Sequence, residues 1–136
     1  MIKEFIHNVK VYYEDTDSGG VVYYANYLKF LERARSEAIY SLGLSNKKLL
    51  EEHRALIIVK SCNINYLKPA KFEDNLKIIS IIKVMTKTSF IMKQIVKRDN
   101  DIISEAEVHL VIVNEQGRPI KIPEILKNKF KDYLSS

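Results

Sequence analysis

The sequence predicts an α+β domain in which an antiparallel β-sheet of about five strands wraps around one long central helix. One segment near the N-terminus has apolar residues at three- and four-residue steps, which is the period of a helix. Most of the remaining chain consists of consecutive segments rich in β-branched residues and separated by short turns, as in antiparallel sheets. At 136 residues the chain is expected to form a single domain over residues 1–136.

The N-terminal half is predicted to contain one strand and two helices. The strand is expected over Lys3–Glu14, with a turn through Asp15–Val22. The central helix is predicted from about Tyr23 to Leu42 and ends at Gly43, because glycine favours helix C-termini. A shorter helix is predicted over Ser45–His53, with the Ser45 side chain as its N-cap. The apolar face of the central helix comprises Tyr24, Tyr27, Leu28, Leu31, Ala34, Ala38, Ile39 and Leu42.

The C-terminal half is predicted to contain four strands and a last helix that starts at Pro123. Proline at position 69 ends the first of these strands, and Asp99-Asn100-Asp101 forms a tight turn before the last one. The four strands are predicted over Ala55–Leu67, Leu76–Met85, Phe90–Arg98 and Ile102–Asn114. Because the edges of such a sheet leave backbone groups unpaired, we expect a homodimer or homotetramer with the sheet continued across a dimer.

Composition restricts the function classes. No segment approaches the roughly 20 apolar residues of a membrane span, and the start of the chain does not resemble a signal peptide. The one cysteine, Cys62, makes no internal disulfide and fits a reducing compartment, so a cytoplasmic location is predicted. The net charge of +5 comes from dispersed lysines without a basic block, which argues against a nucleic-acid partner.

Chemistry is concentrated between Val11 and Tyr27. A β-rich run ends in two acids, Asp15 and Asp17, and a pair of glycines precedes the helix. The first N–H groups of a helix are unpaired and its N-terminus is positive, so a carboxylate beside them can act on a polarised carbonyl. The alternative for Asp17 is a purely structural helix-capping role, which is common for aspartate at such positions.

The motif Tyr-Glu-Asp-Thr-Asp at 13–17, followed by Val21-Val22-Tyr23, Asn26-Tyr27 and Glu32-Arg33-Ala34-Arg35, resembles the hotdog-fold acyl-CoA thioesterases. The resemblance is to the 4-hydroxybenzoyl-CoA thioesterase and YbgC-like group, and it extends to residues 66–70 and 105–106. Members of the YbgC-like group commonly have histidine where this chain has Tyr24. A role of the backbone N–H at that position does not depend on the side chain.

The resemblance implies an acyl-CoA thioester hydrolase without a cofactor or a metal. Asp17 is the implied catalytic carboxylate, acting either as a nucleophile or as a general base on water, and the backbone N–H of Tyr24 is the implied oxyanion donor. Substrate contacts are expected from Gly20, Val21, Asn26, Lys87 and Ser89. A competing hypothesis is a weakly catalytic or non-catalytic protein that binds acyl-CoA or acyl carrier protein as a partner in an envelope or lipid-metabolism complex.

Supporting roles are expected from Asp15, Glu32 and Arg35. Arg35 falls near the middle of the apolar helix face, where a guanidinium needs a partner, and Glu32 lies three residues earlier. We therefore predict an ion pair between Glu32 and Arg35. Asn26 is predicted to order the loop by hydrogen bonding, and Tyr27 to belong to the core.

Overall fold

Five antiparallel strands form one sheet in a computed structural model that describes residues 3–135. The strands are β1 (Phe5–Lys10), β2 (Leu56–Tyr66), β3 (Asn75–Met85), β4 (Ser89–Arg98) and β5 (Asp101–Val113). They lie in the order β1-β3-β4-β5-β2, and every neighbouring pair is antiparallel. The predicted α+β class with about five antiparallel strands is therefore confirmed, and β1 and β2 form the two edges.

The central helix, α1, spans Asn26–Ser41. It starts three residues later than predicted because a tight turn comes first, in which the Asn26 N–H donates to the Tyr23 carbonyl over 2.8 Å. It ends as predicted at Gly43, whose φ is +78°. There the Leu44 N–H donates to the Ile39 carbonyl over 3.3 Å, as in glycine-terminated helices. No helix within residues 3–135 has the length and apolarity needed to cross a membrane.

Alternate residues of the three central strands are buried, and this inner face of the sheet packs against α1. The inward-facing strand residues, which recur at every second position, and the apolar face of the helix, which recurs every 3.6 residues, therefore form one core. Two polar residues, Gln94 and Ser80, lie within it, and the Gln94 amide nitrogen donates to Ser80 Oγ at 3.0 Å. The same nitrogen contacts the Leu31 carbonyl at 3.1 Å, which joins α1 directly to β4.

Two shorter helices complete the layer of helices. α2 spans Asn46–His53, and Ser45 caps it as predicted, with its hydroxyl accepting the Lys48 N–H at 3.0 Å. α3 spans Glu124–Phe130 after Pro123, as predicted. The Phe130 ring packs edge-on against Phe90 with 5.0 Å between ring centroids. α3 thereby covers the inner face of the sheet at the end where β4 begins.

The predicted length of the first strand is wrong at its C-terminal end. β1 stops at Lys10, and a 3₁₀ turn over Tyr13–Asp15 follows. The Asp15 carboxylate accepts the Tyr12 N–H at 2.9 Å, which closes this turn in place of a strand ladder. Local hydrogen bonding by an aspartate side chain therefore overrides the extended conformation that the tyrosines favour.

Tyr27 provides a test of how α1 is fixed to the sheet. Its hydroxyl accepts the backbone N–H of Ala70 at 3.0 Å, and both residues are buried. We expect Tyr27→Phe to lower the free energy of unfolding by about 1–3 kcal/mol, because a buried N–H loses its acceptor. Urea denaturation measures the change. Tyr40→Phe on the exposed side of α1 is the control, expected within about 0.5 kcal/mol of wild type, and equal stability of the two variants would contradict the assignment.

Candidate active site

The predicted catalytic aspartate lies in a tight loop, defined here as residues 16–22 and called the Asp17 loop. Its two arms meet at an antiparallel bridge between Thr16 and Val22. The Asp17 N–H donates to the Val21 carbonyl at 2.9 Å, and the Gly20 N–H donates to the Asp17 carbonyl at 3.1 Å. These bonds fix the backbone on both sides of the Asp17 side chain.

A second set of hydrogen bonds holds the Asp17 loop against the segment that precedes β3. The Val22 N–H donates to the Ala70 carbonyl at 2.8 Å, and the Phe72 N–H donates to the Gly20 carbonyl at 3.1 Å. That segment is joined in turn to β4, because Arg98 Nη1 lies 2.7 Å from Asp74 Oδ2. The loop is therefore part of the framework of the fold, which suits a group that must be held in one place.

The Asp17 carboxylate is exposed and only partly used by its own loop. Its Oδ1 accepts the Gly19 N–H at 2.8 Å. Within residues 3–135, Oδ2 makes no hydrogen bond or ion pair. A Cβ at Gly19 would lie 3.3 Å from Oδ1, so glycine leaves room for the carboxylate. Gly20 has φ +79°, a left-handed conformation that glycine adopts without strain.

The N–H groups expected at the start of the helix are present. Among the described residues, neither the Tyr24 nor the Ala25 backbone N–H has a hydrogen-bond acceptor. Asn26 Nδ2 donates to the Asp15 carbonyl at 2.9 Å, and the residue is 8% exposed. The prediction that Asn26 orders the loop is thus confirmed. Asp15 also has a structural role, through its bond to the Tyr12 N–H.

Asp17 lies within the Asp17 loop and Tyr24 lies two residues after the loop ends, and the single chain does not enclose them together. Tyr24 lines a shallow cleft of about 260 Å³ with Tyr27, Tyr66 and Pro69. The Tyr66 hydroxyl donates to the Tyr24 carbonyl at 3.2 Å, which fixes the turn before α1 against the end of β2. Asp17 lies outside this cleft, so a closed site around both groups needs a further wall.

The two residues expected to contact the nucleotide lie at the other end of the sheet. The Asp17 loop contacts the chain just before β3, whereas Lys87 and Ser89 lie at the β3–β4 turn. Eleven residues of β3 separate these ends, about 36 Å at roughly 3.3 Å per residue. Lys87 is exposed, and the buried Ser89 hydroxyl lies 2.8 Å from Thr86 Oγ1. Within one chain these residues cannot join Asp17 on the same small group.

The predicted ion pair between Glu32 and Arg35 is wrong. Arg35 is half-buried, and its Nη1 donates instead to Gln94 Oε1 at 3.0 Å. Glu32 is exposed and accepts the Ser36 hydroxyl at 3.3 Å. Burial lowers the pKa of the Arg35 guanidinium from its ordinary value. Gln94 was not singled out in the sequence, although an amide in an otherwise apolar, inward-facing register of β4 is a recognisable signal.

Comparisons with known proteins agree with one another. A family model described as the thioesterase-like superfamily matches residues 11–130. The chain is 40% identical over 125 residues to the acyl-CoA thioester hydrolase YbgC of Escherichia coli, covering 90% of this chain and 92% of that protein. It is 36% identical to the acyl-CoA thioesterase YbgC of Haemophilus influenzae, covering 93% of each.

A solved structure has the same fold. The crystal structure of a probable thioesterase from Bartonella henselae matches with a TM-score of 0.85 and 31% identity. The match covers 89% of this chain and 100% of that one.

Proposed function

The chain belongs to the thioesterase-like superfamily, and from that membership we propose that it hydrolyses acyl-CoA thioesters with the Asp17 carboxylate at the reaction centre. The family, the hotdog fold and the enzyme class predicted from the motif are confirmed by the match to residues 11–130 and by the acyl-CoA thioesterases it resembles. The observation that supports the role of Asp17 is the free Oδ2 of a carboxylate whose backbone is fixed on both sides.

Hydrolysis joins water to the acyl carbon and releases coenzyme A as its thiol. Acting as a general base, Asp17 takes a proton from water as the oxygen attacks the carbonyl carbon; the C–S bond then breaks, and the thiolate receives a proton. Acting as a nucleophile, Asp17 displaces the thiolate and forms an anhydride, which water then opens to give the free acid. Both routes need the ionised carboxylate and yield the same products.

The Tyr24 N–H is our proposed donor to the oxyanion. The negative charge that develops on the carbonyl oxygen needs preorganised donors, and this N–H is free in the turn that leads into α1. The Ala25 N–H beside it is also free. In this role the Tyr24 side chain is not the reacting group, so the tyrosine here is compatible with the chemistry. Gly20 and Val21 are the proposed backbone contacts of the substrate beside it.

Asp17→Asn tests the central assignment. The amide oxygen still accepts the Gly19 N–H, so the loop is kept while the ionised carboxylate is lost. We expect kcat for acyl-CoA hydrolysis to fall about 100- to 10,000-fold, measured by release of the free thiol. Asp15→Asn is the matched control, because its carboxylate serves only the Tyr12 N–H, and its rate is expected to stay within a few-fold of wild type. A wild-type rate in Asp17→Asn would refute the assignment.

A pair of substitutions at Tyr24 separates its N–H from its side chain. Tyr24→Ala keeps the N–H, whereas Tyr24→Pro removes a donor that makes no structural hydrogen bond, at the second residue of the turn Tyr23–Asn26, a position where proline is favoured. We expect kcat of the proline variant to be about 100- to 1,000-fold below that of the alanine variant. Thermal melting checks that both are folded, and equal rates in two folded variants would exclude the Tyr24 N–H as the donor.

The missing wall of the site is proposed to come from a second copy that pairs along β2. This edge strand has 11 residues, and a bulge between Val59 and Ser61 reverses its alternation. Before the bulge, Ile57 and Val59 pair with buried residues of β5. After the bulge, Cys62, Ile64 and Tyr66 pair with buried residues of β5. Most of β2 is nevertheless exposed, so the edge offers both unpaired backbone groups and apolar surface to a second β2.

Antiparallel pairing of two β2 strands would bring opposite ends of two sheets together. Leu56 and Ser89 lie at the same end of the sheet, because they pair with Val113 and Val111 of β5. Tyr66 lies at the other end, next to Tyr24. A two-fold dimer therefore places the β3–β4 turn of one subunit at the end where its partner has the Asp17 loop. In that arrangement Lys87 of the partner subunit approaches the phosphates of coenzyme A.

Ser61, at the midpoint of β2, provides the test of this dimer. In a symmetric pairing the two copies of Ser61 face each other, so Ser61→Glu places like charges together while Ser61→Gln is a neutral control of the same size. We expect the glutamate variant to dimerise at least about tenfold more weakly, measured by sedimentation equilibrium, with a parallel loss of activity. A monomeric wild type at micromolar concentration, or equal association of both variants, would contradict the β2 interface.

An acyl carrier protein partner and a cytoplasmic location stay predictions.

A further inference from the structure

A cavity of about 130 Å³ lies between α1 and the inner face of the sheet. Its walls are mostly apolar and come from Ile39, Ile57, Val59, Phe90, Met92 and Leu110. Arg35 is the one cation and the exposed Glu32 the one anion among the residues that line it, and the polar Ser36 and Asn46 also contribute. The cavity borders β2, the strand at the proposed subunit interface. A mostly apolar space with one half-buried guanidinium is a specific chemical environment.

The guanidinium of Arg35 makes no ion pair among the described residues, although burial, which lowers its pKa, is opposed by the smaller effect of the nearby Glu32 charge, which raises it. Its one hydrogen bond goes to the neutral amide oxygen of Gln94, and no carboxylate lies within 4.0 Å of it in residues 3–135. The other N–H groups of Arg35 remain accessible. Among residues 3–135 the Ser104 hydroxyl is the only fully enclosed side-chain polar group without a hydrogen-bond partner, so no unpaired N–H of Arg35 is fully enclosed. A half-buried cation gains most from a ligand that supplies the opposite charge.

Gln94 holds this guanidinium in place. It is fully buried, and its amide nitrogen donates to both the Leu31 carbonyl and Ser80 Oγ, so its oxygen is oriented toward Arg35. A planar guanidinium fixed at one N–H presents its remaining donors in a set direction. That geometry matches the two oxygens of a carboxylate.

The size of the cavity sets the length of the group that fits. An apolar cavity of about 150 Å³ in another protein accommodates benzene, so about six non-hydrogen atoms fit a space of this size. A long fatty acyl chain exceeds this volume. A chain of four to six carbons that ends in a polar group would place its apolar part against Phe90 and Leu110 and its end against Arg35.

We propose that this cavity binds the acyl group of the substrate, and that the preferred acyl group is short and ends in a carboxylate that Arg35 binds. The proposal rests on the acyl-CoA thioesterase function. In the proposed dimer the cavity of one subunit lies toward the end of the sheet that meets the Asp17 loop of its partner, because it is lined by Ile57 and Val59 from the first half of β2. One bound substrate can then place its thioester carbon beside Asp17 and its acyl group in this cavity.

Two coenzyme A thioesters with the same number of acyl carbons test the proposal. Glutaryl-CoA has a terminal carboxylate, whereas pentanoyl-CoA ends in a methyl group. For the wild-type protein we expect kcat/KM for glutaryl-CoA to exceed that for pentanoyl-CoA by at least about tenfold, the gain of a hydrogen-bonded charge pair. In Arg35→Gln this ratio is expected to fall to one or below, while Glu37→Gln, an exposed neighbour on α1, keeps the wild-type ratio.

The outcomes separate this proposal from the enzymatic function itself. If wild type hydrolyses pentanoyl-CoA as well as glutaryl-CoA, or if Arg35→Gln retains the preference, the carboxylate site is refuted while thioester hydrolysis stands. If no acyl-CoA of any length is hydrolysed, the proposed function fails instead. Should Arg35→Gln not fold, inhibition of the wild type decides the question: glutarate is expected to inhibit at least about tenfold more strongly than pentanoate, and equal inhibition refutes the site.

Discussion

The backbone of Ala70, in the segment before β3, connects α1 to the Asp17 loop, the two elements on which the candidate site depends. Its N–H donates to the Tyr27 hydroxyl on α1, and its carbonyl accepts the Val22 N–H at the end of the Asp17 loop. Ala70 itself is fully buried and follows directly after Pro69, which cannot donate a backbone hydrogen bond. The helix, the loop and the segment before β3 are thus joined at one residue, so the position of Asp17 relative to the start of α1 is set by the core rather than by the loop alone.

A polar cluster in the middle of an apolar core has a comparable role for α1. Gln94 is bonded to the Leu31 carbonyl, Ser80 and Arg35, which connects the helix to two strands by hydrogen bonds that require one orientation. Apolar contacts alone tolerate sliding and rotation of a helix, whereas a buried amide with all of its partners satisfied does not. The register of α1 on the sheet, and with it the direction of the Arg35 side chain, follows from this cluster.

Local patterns predicted the elements well. The period of two in β3 to β5, the serine cap of α2 and the glycine end of α1 are each decided by a few neighbouring residues, and all agree with the structure. The role of Asn26 was also within reach, because its partner lies in the preceding loop.

What could not be predicted depends on distant residues. A helical wheel finds Glu32 beside Arg35, but it contains no information on Gln94, which is 59 residues away and forms the actual bond. The distance between Lys87 and Asp17 is likewise set by the length of β3, which separates the two ends of the sheet.

The same separation is the reason for proposing that two chains form the complete site. A hydrolase acting on a coenzyme A thioester must contact a long, charged carrier at one end and an acyl group at the other, with the reacting carbon between them. In one chain the free carboxylate and the free helix amides lie at one end of the sheet, while the basic turn and the apolar cavity lie toward the other. In the proposed dimer, a two-fold axis at the β2 edge would reverse one sheet relative to the other, so each end of one subunit would meet the opposite end of its partner. The exposed edge, which would otherwise be a liability for aggregation, would then bring the two halves of the chemistry together.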